Sequence, residues 1–378
     1  MRDDVRESRM LKVRVRSAQL LLLLSCVAAL AMFFLFFVGS DALSDRNTFQ
    51  FFADSKTYMR IYAGEQFLAN DSLLSVSDNY IGPLLVLRLL RGNIYLIMMF
   101  NVLLFWGSIV WITSDLRMDP LKVGALLLLS PLTISSMLAV NKEIFLLPFM
   151  AFTVAAYVRG SLPLLLMAAG VSILVRWQVT AFFLTVMIAS LPLRIMRHRG
   201  LVVTGLLVVS SLVYLQLSDV FAAVIAVVER SVFEDFDQGS GLFTVLNAYQ
   251  QRGAYFLVFP LKAAHLLFAL GLRFDHIFNP SNIYNDLFVG LHCTASLATF
   301  LLLLKRRLLR LDEDLIFAAS IFLVVFCLSP IYAPRYLYPV FVAGVLVLNG
   351  APSRLSSLRA GERTTVAPSP VVPDEARA

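Results

Sequence analysis

Lys142 and Glu143 stand side by side in Leu138-Ala139-Val140-Asn141-Lys142-Glu143-Ile144-Phe145, two opposite charges with apolar sequence on both flanks. A charge near a bilayer core is costly, so an ion pair in such surroundings marks a functional-site candidate. Three further outliers join it. Asp54 lies in Phe52-Ala53-Asp54-Ser55-Lys56-Thr57-Tyr58-Met59-Arg60-Ile61-Tyr62, Arg176 in Arg176-Trp177-Gln178, and Arg335 in Tyr332-Ala333-Pro334-Arg335-Tyr336-Leu337-Tyr338-Pro339. Carboxylates among several fixed cations at one membrane edge suit a lipid-diphosphate sugar donor. The cations would hold the diphosphate leaving group, and a carboxylate would take the proton of the attacking hydroxyl.

Each residue also has a structural alternative. Asn141 can cap the helix that follows it, and Glu143 in the first turn complements the helix dipole. That account leaves Lys142, a cation at a helix N-terminus, unexplained. In a helix, Asp54, Tyr58 and Tyr62 at i, i+4 and i+8 share one face that could bind a sugar and activate a hydroxyl. Equally, Asp54 or Ser55 can serve as an N-cap, with the tyrosines in an interfacial aromatic belt. Arg176 at a helix C-terminus is favoured by the dipole, and Trp177 fits the same belt. A guanidinium is nevertheless well suited to bidentate contact with phosphate. Pro334 pre-sets a helix start, which puts Arg335 at the positive end of a dipole, where a cation is disfavoured. A residue that breaks a local rule is the kind expected at a functional site.

Other chemistries find little support. His198, His265, His276 and His292 have no His-x-x-x-His spacing, and His292-Cys293 has no further ligands nearby, so no metal site is predicted. Cys26, Cys293 and Cys327 sit in largely apolar sequence and read as buried thiols. The chain has no Walker loop and no Gly-x-Gly-x-x-Gly cradle, which argues against nucleotide-driven work, and no cofactor is predicted.

The elements that must position these residues are membrane helices. Of 378 residues, 59% are hydrophobic and 15% charged, and the mean hydropathy is +0.78. Apolar stretches long enough to cross ~30 Å of hydrocarbon recur. The expected class is all-α, a polytopic integral membrane protein; continuous apolar segments without alternation argue against a β-barrel. Ten spans fit, at about 18–39, 92–113, 121–139, 144–158, 161–175, 178–194, 200–217, 284–304, 313–330 and 336–350. The first run is too long for a signal-peptide core and reads as an uncleaved span. The net charge of +7 is concentrated beside spans, in residues 2–16, 194–199 and 305–310, which points to lipid and topology, with no nucleic acid as partner. By the positive-inside rule the basic N-terminus (1–17), the other basic clusters and the tail are cytoplasmic. Segment 254–271 would break that agreement if it crossed. It therefore reads as interfacial or re-entrant, consistent with Pro260, Lys262 and His265. A transmembrane domain of 18–350 then carries outer loops 40–91 and 218–283, followed by a disordered tail, 351–378.

With that topology, Asp54, Lys142, Glu143, Arg176 and Arg335 all fall on the outer face. The Asp54-Ser55-Lys56-Thr57-Tyr58 setting resembles the first-loop acid of polytopic, lipid-linked-sugar glycosyltransferases of the GT-C type. Asn141-Lys142-Glu143, the downstream Arg176 and the closing Arg335-Tyr336 are similar to bacterial polysaccharide repeat-unit polymerases of the Wzy/EpsG kind. The resemblance implies an enzyme of the bacterial inner membrane that joins undecaprenyl-diphosphate-linked oligosaccharides into O-antigen or exopolysaccharide on the periplasmic side. It also implies membrane lipids and other polysaccharide-assembly proteins as partners. Asp54 or Glu143 would be the base, with Asp54 preferred. Lys142, Arg176 and Arg335 would bind diphosphate, and Tyr58, Tyr62, Trp177 and Tyr336 would line the substrate. The enzymatic alternative is a single-sugar transferase or an O-antigen ligase. The non-enzymatic one is a flippase, which would want essential charges through the membrane midplane.

Overall fold

The computed structural model describes residues 2–33, 35, 55–63, 80–189, 198–216, 240–269, 287–329 and 332–351. Among them every regular element is a helix. In order these are α1 (Arg2–Phe33), α2 (Ser55–Ala63), α3 (Ile81–Leu89), α4 (Ile94–Asp115), α5 (Pro120–Leu128), α6 (Pro131–Leu138), α7 (Leu146–Arg159), α8 (Leu162–Val175), α9 (Trp177–Ala189), α10 (Arg199–Gln216), α11 (Ser240–Tyr249), α12 (Tyr255–Phe268), α13 (Val289–Lys305), α14 (Asp314–Phe326) and α15 (Tyr338–Leu348). Short 3-10 turns, Glu143–Phe145 and Pro334–Leu337, lead into α7 and α15.

Local sequence explains many of the boundaries. Asn93 caps α4 by accepting from the Leu96 amide at 3.2 Å, and Asp119 caps α5 at Leu121 with Pro120 in the first turn. Gly160 ends α7 at φ +59°, the left-handed conformation that glycine adopts without a Cβ penalty. The chain then reverses into α8, and α7 and α8 pack closely along their length. α4 buries Phe105, Ile109 and Ile112 against the bundle. α15 is buried nearly all round, flanked by α13 and α14, as a helix apolar on every face should be.

Among the described residues two helices, α4 and α10, are long and apolar enough to cross a membrane. α5 and α6 would make a third span if counted together, but they are bent by 91°. The span expected at 121–139 is therefore broken. Pro131 has no amide hydrogen to continue α5, and it restricts Ser130 to extended backbone. The break is stitched by Thr133 Oγ1, which donates to the Leu127 carbonyl at 2.7 Å and pairs with the Tyr338 hydroxyl at 2.9 Å. Ser130 Oγ pairs with His292 Nδ1 at 2.8 Å. Several other expected spans are shorter apolar helices here. α7 and α8, at 14 residues each, rise about 21 Å against ~30 Å of hydrocarbon. Large apolar side chains are nonetheless exposed along α1, α4, α8 and α10, among them Leu24, Met99, Leu166 and Leu212, as a lipid-facing surface requires.

The segments expected to be outer loops hold helices of their own: α2 and α3 in the first, α11 in the second. α3 is drawn tightly onto α8, where a Cβ at Gly82 would collide with the Leu174 carbonyl oxygen. α12, the segment expected to be interfacial or re-entrant, packs on α10, α11 and α13. Its Lys262 is fully buried, donating to Gln250 Oε1 at 2.5 Å and to the Ser329 carbonyl at 2.9 Å. Of the expected tail, 351–378, Ala351 is described and is buried, and the rest lies outside the described residues.

Charge segregates along the bundle. At the ends of α4, α7 and α13 and the starts of α10 and α14, Arg159 pairs with Asp115 at 2.6 Å. There Arg199 also pairs with Asp314 at 2.5 Å, and Tyr157 donates to the same carboxylate. Glu143 and Arg176 lie at the opposite ends of α7 and α8, roughly 20 Å away by helix rise.

Candidate active site

The turn between α6 and α7 is built by side-chain amides. Asn101, buried in the middle of α4, extends its amide nitrogen to the carbonyls of Ser136 (3.4 Å), Met137 (3.3 Å) and Ala139 (2.9 Å). These carbonyls end α6 and need donors. Asn141 donates to Ser136 and Ala139 at 2.7 and 2.9 Å and accepts from the Ile144 amide at 3.0 Å. It is thus the cap of the Glu143–Phe145 turn, as one reading of the sequence expects. The backbone that carries Lys142 and Glu143 is held from both sides. Ser55, the buried first residue of α2, adds a third tie by donating to the Val140 carbonyl at 2.5 Å.

Onto this turn converge two distant arginines. Arg176 ends α8, its amide bonded to the Ser172 carbonyl, and its own carbonyl accepts the Val179 and Thr180 amides that begin α9. Its Nη2 donates to Glu143 Oε1 at 2.5 Å. Arg335, in the 3-10 turn before α15, places Nε 3.8 Å from the same oxygen. Tyr336 lies beneath both guanidiniums: the carbon of Arg176 is 3.5 Å from the ring centroid and that of Arg335 is 5.5 Å. The aromatic face and the carboxylate hold the two planar cations in fixed orientation. Lys142, the residue before Glu143, is buried as well. The Arg176 side chain is 5% exposed, that of Glu143 10% and that of Arg335 15%, so Arg335 is the most open of the three.

Among the described residues this end of the bundle therefore gathers three cations and one carboxylate. Glu143 Oε1 is shared between two guanidiniums, so its geometry is that of an orienter of cations. Such an arrangement suits an anion with two or more charges spread over several oxygens.

The other sequence candidates are placed as follows. Asp54 lies outside the described residues, although Ser55, its covalent neighbour, is bonded to the turn. Tyr58 is fully buried and packs edge-on against Tyr80, with centroids 5.6 Å apart. Tyr62, half-buried, lies against Gly92 between α3 and α4. Trp177 opens α9, and its side chain is outside what is described. The cysteines are free and buried, and among the described residues no three His, Cys, Asp or Glu side chains gather as metal ligands. Sequence reasoning missed Asn101. A lone carboxamide in the middle of an apolar 22-residue helix was the available signal.

Comparison with protein-family models, with curated proteins and with solved structures returns no match.

Proposed function

We propose that the protein is a membrane glycosyltransferase acting on a polyprenyl-diphosphate-linked oligosaccharide, most specifically a polymerase of surface-polysaccharide repeat units. The observation that carries this reading is the convergence of Arg176 and Arg335 on Glu143, which follows the buried Lys142 in the chain, at one end of an apolar helical bundle. A diphosphate leaving group needs fixed cations in a water-poor site, where they are worth far more than in bulk solvent.

In the proposed reaction an acceptor sugar hydroxyl attacks the anomeric carbon of the donor. The bond from that carbon to the diphosphate oxygen breaks, and the electron pair leaves with the lipid diphosphate. Arg335, the most open cation, contacts the diphosphate first, with Lys142 and Arg176 behind it, and Glu143 keeps the guanidiniums in register. Asp54 takes the hydroxyl proton, since the Glu143 oxygen is occupied by arginines. In this reading the chain crosses the bacterial inner membrane ten times, short helices included. Both termini are cytoplasmic, and the cation cluster lies on the periplasmic side, because the basic residues at the other end obey the positive-inside rule.

The test is reconstitution of the purified protein in liposomes with a polyprenyl-diphosphate oligosaccharide, and product length read on gels. Arg335→Ala and Arg176→Ala should each lower the rate about 10²–10³-fold, the range for removing one charge-stabilising donor. Unchanged polymer length and amount in both variants would sink the assignment. Product extended by only one sugar would replace the polymerase with a single-sugar transferase.

A further inference from the structure

Away from the cation cluster, α12, α13, α14 and α15 enclose a crevice of about 300 Å³. Its walls are nearly all hydrocarbon, with Phe268, Phe300, Leu323, Val340 and Phe341 among them. Gly344 floors it, where a side chain would press on Thr299. Three hydroxyl side chains, Ser296, Thr299 and Ser320, break the pattern, and Ser320 Oγ is satisfied by the Ile316 carbonyl at 2.8 Å. Ser296 lines the crevice, is 6% exposed, and its hydroxyl has no hydrogen-bond partner among the described residues. A buried hydroxyl without a partner loses on the order of 1–3 kcal/mol relative to water. Its position therefore asks for an occupant with a polar atom part-way along an apolar body.

The other half of the observation is where the crevice leads. Leu309 and Leu311 line it and belong to the turn between α13 and α14. That turn carries Lys305, Arg306, Arg307 and Arg310, all exposed, and Arg307 closes α13 at φ +54°. Acids are also present: Asp312 pairs with Arg310 at 3.4 Å, Asp314 with Arg199, and Glu313 precedes α14. Among the described residues Lys305, Arg306 and Arg307 enter no ion pair. An apolar slot that ends at exposed cations matches an anionic amphiphile, and basic sites between membrane helices are a recognised setting for anionic lipid headgroups. At about 300 Å³ the slot is at the small end of ligand sites, with room for part of one acyl chain and none for a two-tailed lipid.

We infer that this crevice binds one acyl chain of an anionic phospholipid, with the headgroup phosphate on Lys305, Arg306 and Arg307 and the ester carbonyl region accepting from Ser296. The polyprenyl chain of the proposed substrate is a poorer occupant. Its diphosphate would sit at Arg335, which begins the helical segment leading into α15, whereas the basic turn lies at the far end of α13. The site stands whether or not the glycosyltransferase reading does.

The experiment uses the full-length protein in nanodiscs and a diazirine photolipid, with adducts located by peptide mass spectrometry. Phosphatidylglycerol carrying the label on one chain should mark α13 and α14 at least five-fold more strongly than the matching phosphatidylcholine. Ala319→Trp, which fills the crevice, should remove that excess, as should Lys305→Gln/Arg306→Gln/Arg307→Gln, which changes only exposed side chains and guards against a folding failure in the first. Equal labelling by the two lipids, or an excess that survives both variants, overturns the inference. Displacement of the label by polyprenyl phosphate but not by phosphatidylglycerol overturns it too, and hands the crevice to the substrate's chain. Neither result bears on polymer synthesis by Arg176 and Arg335 variants.

Discussion

Deleting the Glu143 carboxylate takes a partner from two guanidiniums at once, whereas deleting either arginine leaves Glu143 with the other. That asymmetry sets an order of stabilities. At an effective dielectric of about 20 the Coulomb attraction is roughly 7 kcal/mol at the 2.5 Å Arg176 contact and roughly 4 kcal/mol at the 3.8 Å Arg335 contact. Desolvation offsets most of both, and removing one partner of a buried pair costs about 3–5 kcal/mol because the other charge is left uncompensated. Glu143→Ala should sit in that range. Arg176→Ala should cost less, about 2–3 kcal/mol, since Arg335 remains to answer the carboxylate. Arg335→Ala, at the longer distance and more open, should cost about 1 kcal/mol. Removing Glu143 and Arg176 together should cost about 2 kcal/mol less than the sum of the two single changes, the size of coupling seen for contacting charges. The assay is equilibrium unfolding of the detergent-solubilised protein in mixed micelles, followed by tryptophan fluorescence, for the full double-mutant cycle. Additivity within about 0.5 kcal/mol, or Arg335→Ala costing more than Glu143→Ala, refutes the reasoning that Glu143 organises the cluster.

Three further outcomes follow from named contacts. Asn101→Leu leaves the Met137 carbonyl without the donor that α4 supplies and removes one of two from the Ser136 and Ala139 carbonyls; it should cost about 1–3 kcal/mol in the same titration and lower turnover in the liposome assay. Gly82→Ala forces α3 off α8 at the Leu174 carbonyl and should destabilise by about 1–3 kcal/mol, read as a lower unfolding midpoint. Ser55→Ala unties α2 from Val140 at a cost of about 1 kcal/mol; hydrogen exchange should rise across residues 55–63 while α4 and α15 keep their protection.

The sequence located helices more reliably than it judged their reach. Apolar runs alone placed α4, α7, α8, α10, α13, α14 and α15 close to their observed bounds, because continuous hydrophobicity bounded by charges leaves few alternatives. Whether a run is straight depends on a single backbone position: Pro131 turned one expected span into two helices at 91°. α3 was hidden in a loop because its helical pattern is short, and its stability comes from close approach to α8, a tertiary effect that no local propensity reports.

The same division runs through the site. Lys142, Glu143, Arg176 and Arg335 were each visible as charges in apolar sequence, since a lipid-like environment makes any charge conspicuous. Their pairing was not visible, because Arg176 and Arg335 reach Glu143 from α8 and from the entry to α15, and only packing decides that. Their support was the least legible part. Asn101 and Ser55 are neutral and act on backbone carbonyls, and a neutral polar residue in an apolar helix carries no sign of which carbonyl it serves. Within the proposed reaction the geometry gives Glu143 an orienting part. An acid beside Lys142 reads from sequence as a possible base, yet a carboxylate oxygen shared by two guanidiniums is better placed to orient them than to accept a proton from a sugar. In the proposed reaction the work then divides between the cations held by Glu143 and a proton acceptor from elsewhere, and if that reading holds, Asp54→Asn should abolish turnover in the liposome assay while leaving the stability cycle of Glu143 and Arg176 unmoved.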